Sequence, residues 1–265
     1  MGVLVPPAFS DFVGYEVTVL TVTIRIARSN GEQAFVIETL AQQTVLDALF
    51  YIQNELEPSL SFRCSCRVGM CGSCGMVING KESLACRTSL NPLGDEVTVQ
   101  PLRHIPVIKD LVVDMEGFFS KYRLVDPYLK PRSGLGNPIV APPSSHLREE
   151  IDLGLECISC GLCLSACDVV GMVPEFLGPA ALNRAYNLVA DIRDGLTEQR
   201  LSLVGQSRVG VWQCHTHMSC VEVCPKNIAP TRAIAHLKRT LIRRRITGHL
   251  RRPMPTVQRI IQEEV

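Results

Sequence analysis

Residues 66–74 read CRVGMCGSC and place three cysteines on one short loop, and a fourth cysteine follows after eleven intervening residues. The four cysteines are Cys66, Cys71, Cys74 and Cys86. Three glycines lie in or directly after the loop: Gly69, Gly72 and Gly75. Because glycine accepts backbone angles and close approaches that a Cβ forbids, this loop can wrap tightly around a small group. The pattern therefore predicts that the four thiols converge on one compact site.

The spacing C-x4-C-x2-C…C is typical of plant-type ferredoxins, in which four thiolates hold a [2Fe–2S] cluster. Backbone N–H groups of a glycine-rich loop can also donate to the cluster sulfur and tune its potential. Zinc is the alternative metal for four cysteines, although zinc sites rarely combine this spacing with such a loop. A disulfide framework is disfavoured, because the chain is long and spaces its cysteines as metal ligands.

Two further cysteine runs lie in the second half of the chain. Residues 157–167 read CISCGLCLSAC, and residues 214–225 read CHTHMSCVEVCP. In two-cluster ferredoxins the C-x2-C-x2-C-x3-C run gives three ligands to one cluster and its last cysteine to the other. Exchange of the last cysteine of each run therefore predicts two sites.

The first of these sites is expected to hold a [4Fe–4S] cluster on Cys157, Cys160, Cys163 and Cys224. The second is left with three thiolates, which suggests a [3Fe–4S] cluster on Cys167, Cys214 and Cys220. His217 stands where the missing second cysteine would be. Imidazole is a competent iron ligand, as in Rieske centres, so ligation by His217 stays open as the lesser alternative. Cys64 fits neither spacing and is expected to be a small apolar side chain near the first loop.

The whole-chain composition indicates two domains and no nucleic-acid partner. The chain has 265 residues and a formal net charge of +1, and it contains no apolar run long enough to cross a bilayer. Basic residues are concentrated between Lys226 and Gln262, where no Asp or Glu occurs. Since no aromatic residues are interleaved with this charge, anionic lipid headgroups or acidic loops of a membrane protein suit it better.

Local patterns predict strands first and helices later. Alternating apolar and polar residues over 15–26, and apolar content over 34–38, indicate two strands. Thr44 together with Asp47 predicts the start of a helix, and Pro58 is expected to end it. Short strands are expected on both sides of the Asn79-Gly80 turn and over 96–100. Helical spacing follows over 179–189 and 229–245.

Six of thirteen residues between Pro131 and Pro143 are Pro or Gly, which neither helix nor strand tolerates. The expected organisation is an α+β domain over 1–130, a linker over 131–143, a mostly α domain over 144–250 and a basic tail over 251–265.

The motifs together resemble the iron–sulfur subunit of succinate dehydrogenases and fumarate reductases. The resemblance covers about residues 15–245 and rests on four stretches: SFRCSCRVGMCGSCGMVINGKESLAC, HIPVIKDLVVDM, PEFLGPAALNRAYN and CVEVCPKNIAP. It implies an N-terminal β-grasp ferredoxin domain followed by an all-α helical ferredoxin domain. It also implies electron transfer from FAD on a flavoprotein subunit, through [2Fe–2S], [4Fe–4S] and [3Fe–4S], to quinone at one or more membrane anchor subunits, which are expected to carry heme.

Under this resemblance the chain is a subunit of an oxidoreductase and performs no substrate chemistry alone. Its expected location is peripheral, on the cytoplasmic face of the cell membrane. His215 matches a position near the quinone end, where an imidazole could help to deliver a proton. The sequence DVVGMVPEF after the second run lacks the tryptophans of ubiquinone-reducing members, which favours menaquinone. Asp168 replaces a usual proline, and its charge should lower the potential of the adjacent cluster.

Two rival functions remain open at this point. One is a soluble iron–sulfur electron carrier, or a thiol-linked fumarate reductase component, without a membrane anchor. The other is a non-redox zinc scaffold, which metal analysis would distinguish at once.

Overall fold

The computed structural model describes residues 19–132 and 144–247, together with residues 140 and 142. Its chain divides into two compact units, Met1–Asp114 and Met115–Val265. The first unit is built on a mixed sheet, and the second is helical, which confirms the predicted α+β class. Most of the expected linker and all of the expected basic tail lie outside the described residues.

The first unit contains a five-stranded sheet and one main helix. Its strands are β1 (Val19–Arg28), β2 (Gly31–Leu40), β3 (Gly75–Ile78), β4 (Lys81–Leu84) and β5 (Glu96–Gln100). Their order is β2-β1-β5-β3-β4, with β1 and β5 parallel and the other neighbours antiparallel. Helix α1 (Val45–Tyr51) continues as a π-helical segment, Ile52–Leu56, and a small hairpin joins β6 (Val107–Lys109) and β7 (Val112–Val113).

The local signals in this unit produce the expected structures. Val22, Ile24 and Ile26 alternate into the core, so the predicted half-buried strand is confirmed from residue 19 onward. Thr44 and Asp47 form the predicted capping box, with the Asp47 N–H donating to Thr44 Oγ1 and the Thr44 N–H donating to Asp47. Asn79 and Gly80 both have positive φ, which matches the twist of the β3–β4 hairpin.

The second unit packs around one central helix. Its helices are α2 (Glu116–Leu124), α3 (His146–Leu155), α4 (Leu162–Ser165), α5 (Asp168–Met172), α6 (Gly178–Ala190), α7 (Thr197–Val204), α8 (Ser219–Glu222) and α9 (Pro230–Ile246). The predicted helices over 179–189 and 229–245 are therefore confirmed as α6 and α9. Helices α2, α3, α4, α7 and α9 all contact α6. This arrangement explains why α6 is buried on nearly every face.

Residues 115–130 were expected in the first domain, but they pack with the second unit. The cause is Arg200, which is almost completely buried and pairs with buried Asp194. Its guanidinium also donates to the carbonyl oxygens of three residues after α2: Val125, Asp126 and Tyr128. A charge removed from water needs this full set of partners, so the segment after α2 is held against the second unit.

In the first unit, Asp110 is a buried charged group that holds distant segments of the chain together. Its carboxylate accepts hydrogen bonds from the Ser29 N–H, the Ser61 N–H and the Arg28 side chain. Burial raises the pKa of Asp110, but these donors outweigh burial and leave the pKa below its usual value. The carboxylate therefore connects the end of β1 with the loop before the first cysteines.

We expect Asp110→Asn to lower the free energy of unfolding by about 3 kcal/mol, because it removes the charge from a buried pair. Since the folded-state pKa is depressed, this contribution is present above the unfolded pKa and disappears as the pH falls below about 4. Denaturant titration at neutral and acid pH measures both effects. Asp95→Asn, at an exposed loop position in the same unit, is the control. Equal losses in the two variants would contradict this role of Asp110.

Candidate iron–sulfur sites

The first cysteine loop folds back on its own sulfur atoms. The N–H groups of Met70 and Cys71 donate to Cys66 Sγ at 3.2 and 3.3 Å, and the Cys66 N–H donates to Cys71 Sγ at 3.5 Å. A hydrogen bond from Ser73, followed by backbone donors, lowers the pKa of Cys71 to about 6. A thiolate is therefore stabilised at this position without any metal.

Cys74 and Cys86 complete the group from the adjacent hairpin. Both are buried, and they interact with each other and, through Cys74, with Cys71. Burial, together with the neighbouring Cys86 and Cys71, raises the pKa of Cys74 to about 12. Since thiolates are the iron ligands, a cationic metal centre is the group that would offset this cost. Cys64, which lies outside the four-cysteine spacing, is half-buried.

Gly69 has φ of +77° and lies against the side chain of Arg87. A Cβ placed on Gly69 would lie 2.8 Å from Arg87 Cγ, closer than real Cβ contacts allow. The loop therefore needs glycine here for two reasons, the left-handed backbone and the close packing of the arginine stem. The second arginine near the loop, Arg67, instead places its guanidinium 4.6 Å from the centroid of the Phe50 ring.

The seven cysteines of the second unit line two cavities. The first cavity is lined by four thiols: Cys157, Cys160, Cys163 and Cys224. The second is lined by three thiols and two imidazoles: Cys167, Cys214, Cys220, His215 and His217. Each cavity thus contains the last cysteine of the other run. Within the described residues, no three His, Cys, Asp or Glu side chains form a group that could hold a single metal ion.

Both cavities contain thiols that are costly to ionise without a metal. Burial, followed by the neighbouring thiolates, raises the pKa of Cys220 to about 12 and that of Cys163 well above its usual value. Burial likewise raises the pKa of Cys160 to about 11, although the Leu162 N–H hydrogen bond opposes it. Burial also raises the pKa of Cys167, and the nearby backbone N–H groups of Val170 and Val169 oppose that rise. A dense set of partly buried thiols fits an anionic metal–sulfide group.

Helix α2 places two side chains near the cysteines of the second unit, and the cysteine motifs did not predict either of them. Tyr122 is stacked on Phe118, and its pKa is raised by burial and by the nearby Cys157. Lys121 is half-buried, which lowers its pKa, and it lies near Cys167. Sequence reasoning missed both because their placement depends on the packing of α2 in the second unit.

The fold and the two sets of sites define an electron-transfer iron–sulfur protein of the ferredoxin class. Residues 23–120 match the family of 2Fe-2S iron-sulfur cluster binding domains, and residues 154–228 match the family of 4Fe-4S dicluster domains. The chain belongs to the iron–sulfur subunits of succinate dehydrogenases and fumarate reductases, which are parts of oxidoreductase complexes.

Three similar proteins illustrate this membership. The mitochondrial ubiquinone-type succinate dehydrogenase iron–sulfur subunit of Dictyostelium discoideum is 39% identical over 73% of this chain and 70% of that protein. The fumarate reductase iron–sulfur subunit of Haemophilus influenzae is 41% identical over 73% of this chain and 79% of that protein. A chain of the Mycobacterium smegmatis Sdh1 complex in the apo form superposes with a TM-score of 0.78, at 28% identity, over 86% of this chain and 98% of that one.

We expect Gly69→Ala to weaken retention of the [2Fe–2S] cluster. Gly69 and Gly80 have φ of +77° and +78°, so alanine costs about 1–2 kcal/mol of backbone strain at either position. Only position 69 adds a collision with Arg87, worth about 1–3 kcal/mol. Visible absorbance during denaturant titration measures the retention. Gly80→Ala, which has open space around its Cβ, is the matched control. Equal behaviour of the two variants would show that the Arg87 contact is unimportant.

Proposed function

We propose that this chain passes electrons one at a time between the FAD of a succinate- or fumarate-converting flavoprotein subunit and a membrane quinone, with menaquinone favoured. The observation that carries the proposal is the division of seven thiols into a group of four and a group of three, each completed by the other run. This division supports a [4Fe–4S] and a [3Fe–4S] centre in addition to the [2Fe–2S] centre.

The proposed ligands follow from these groups. The [2Fe–2S] cluster would be held by Cys66, Cys71, Cys74 and Cys86. The [4Fe–4S] cluster would be held by Cys157, Cys160, Cys163 and Cys224. The [3Fe–4S] cluster would be held by Cys167, Cys214 and Cys220. When bound, the clusters supply reversible one-electron oxidation and reduction, and the chain itself makes or breaks no substrate bond.

The chain's own contribution is to fix and tune these centres. Burial of the thiols disfavours added negative charge and therefore lowers reduction potentials. N–H groups such as that of Met70 donate to sulfur, and the Lys121 ammonium lies near Cys167. These two contacts stabilise added negative charge, so they raise reduction potentials. Asp168, one residue beyond Cys167, works in the opposite sense.

The three-cysteine cavity is the better candidate for the quinone end. His215 and His217 line it, and their rings lie 6.0 Å apart between centroids. Trp212 and Met218, in the same segment, are exposed apolar side chains on which a flat hydrophobic partner could pack. His215 would be placed there to hold a hydrogen bond to a quinone oxygen.

Helix α9 supports a membrane-facing side of the second unit. Lys238 Nζ donates to the Cys214 carbonyl at 2.7 Å, so this side of α9 adjoins the three-cysteine cavity. Further along the helix, Arg239, Ile242, Arg243 and Ile246 are exposed and share one face. Exposed isoleucines between arginines suit the anionic surface of the cytoplasmic leaflet beside an anchor subunit, with or without heme. None of the helices among the described residues has the length and apolar character needed to cross a bilayer.

Cys224→Ser tests the cluster assignment and with it the function. The protein, purified anaerobically, should contain about nine iron atoms per chain and little zinc. The substitution should perturb the four-iron centre, while the EPR signal of the oxidised three-iron centre survives. EPR of the oxidised and dithionite-reduced protein measures both, with Cys64→Ser as a control that keeps every signal. Loss of the three-iron signal alone would reverse the assignment, and a zinc-filled protein without iron would end the proposal.

Replacing Arg239 and Arg243 by Gln should weaken binding to vesicles of mixed neutral and anionic phospholipid by roughly 30-fold at low salt, since each basic residue contributes about 1 kcal/mol. Co-sedimentation with the vesicles measures the loss, and added salt should reduce the difference. Arg63→Gln with Lys81→Gln removes the same charge from exposed positions of the first unit and should have no effect. Recovery of the native protein as a free soluble monomer with intact clusters would favour the soluble-carrier function instead.

A further inference from the structure

The two cysteine runs of the second unit repeat each other in spacing. Starting from Cys157 and from Cys214, a cysteine follows six and ten positions later in both runs. Three positions after the start, the first run has Cys160 and the second has His217. The two runs therefore differ in ligand type at a single position of the repeat.

The backbone repeats with the same register. Two and four positions after the first cysteine, φ is positive in both runs, at Ser159 and Gly161 and again at Thr216 and Met218. A short helix then begins at the fifth position in each run, α4 at Leu162 and α8 at Ser219. A residue in the left-handed conformation closely defines the direction of the backbone, and a non-glycine residue adopts this conformation only at an energetic cost. The shared pattern places His217 in the local position that Cys160 has in the other loop.

The surroundings of His217 agree with this placement. Its side chain lines the same cavity as all three thiols of its site, and the residue is exposed at the cavity mouth. Solvent access there would allow a metal ion to reach the site. Imidazole nitrogen is a ligand that iron accepts in proteins.

We propose that His217 makes the open corner of the three-iron centre a binding site for one additional divalent iron ion. The proposal rests on the three-thiolate assignment made above and extends it, since three cysteines leave one corner of a cubane without a protein ligand. The reaction needs no further oxidant or reductant. A reduced, neutral three-iron core joins Fe²⁺ to form a four-iron core of charge 2+, and neutral His217 donates a nitrogen lone pair without losing a proton.

Iron uptake by the holoprotein tests the inference. The protein, with its clusters intact, is reduced with dithionite, incubated with Mössbauer-active ferrous iron, freed of excess metal and reoxidised under argon. We expect the wild type to retain one labelled iron per chain in a four-iron environment and to lose most of its three-iron EPR signal. His217→Ala should retain no labelled iron and keep the three-iron signal.

His215→Ala is the matched control, because His215 lines the same cavity and should leave iron uptake unchanged. His217→Cys should also take up iron, which keeps the test valid if the alanine variant loads its clusters poorly. Uptake by His217→Ala equal to that of the wild type, or no uptake by the wild type, would overturn the inference. Absence of a three-iron signal from the untreated wild type and from His217→Ala would instead overturn the underlying cluster assignment, and this inference with it.

Discussion

Mutual repulsion between buried thiolates is the constraint on which the rest of the structure depends. Burial and neighbouring sulfur atoms raise the pKa of Cys74, Cys163 and Cys220, so these groups gain a favourable charged form only beside cationic iron. A fold that gathers such groups must hold them against this cost before the metal arrives. The sheet with α1 in the first unit, and the packing around α6 in the second, supply that support from apolar burial.

In the second unit, the exchange of cysteines between the two runs also holds the sites together. Each of its cavities takes its last cysteine from the other run, so residues about fifty to sixty-five positions apart in sequence meet at these sites. Helix α9 begins at Pro230, shortly after the second run, and its Thr231 lines the same cavity as Cys220. Backbone far apart in sequence is thus fixed around the metal sites, while Arg200 holds the segment after α2 in the same unit.

Features that depend on residues close together in sequence could be predicted, whereas features that depend on residues far apart in sequence could not. Strand alternation at β1, the Thr44 cap and the Asn79-Gly80 turn act between near neighbours, and the structure contains all three. The placement of α2 depends on buried Arg200, about seventy-five positions later, and no nearby residue signals it. The sequence also does not predict the left-handed backbone conformation of Thr216 and Met218, since neither threonine nor methionine favours it.

The two loops of the helical unit are unequal in one respect that bears on assembly. Where the first loop has Gly161 in the left-handed region, the second has Met218, with φ of +66°. A side chain in this conformation costs about 1–2 kcal/mol that glycine avoids. The first loop has one non-glycine residue of this kind, Ser159, whereas the second has two, Thr216 and Met218. The three-cysteine loop therefore stores more backbone strain than its neighbour, and it gains more by relaxing when empty.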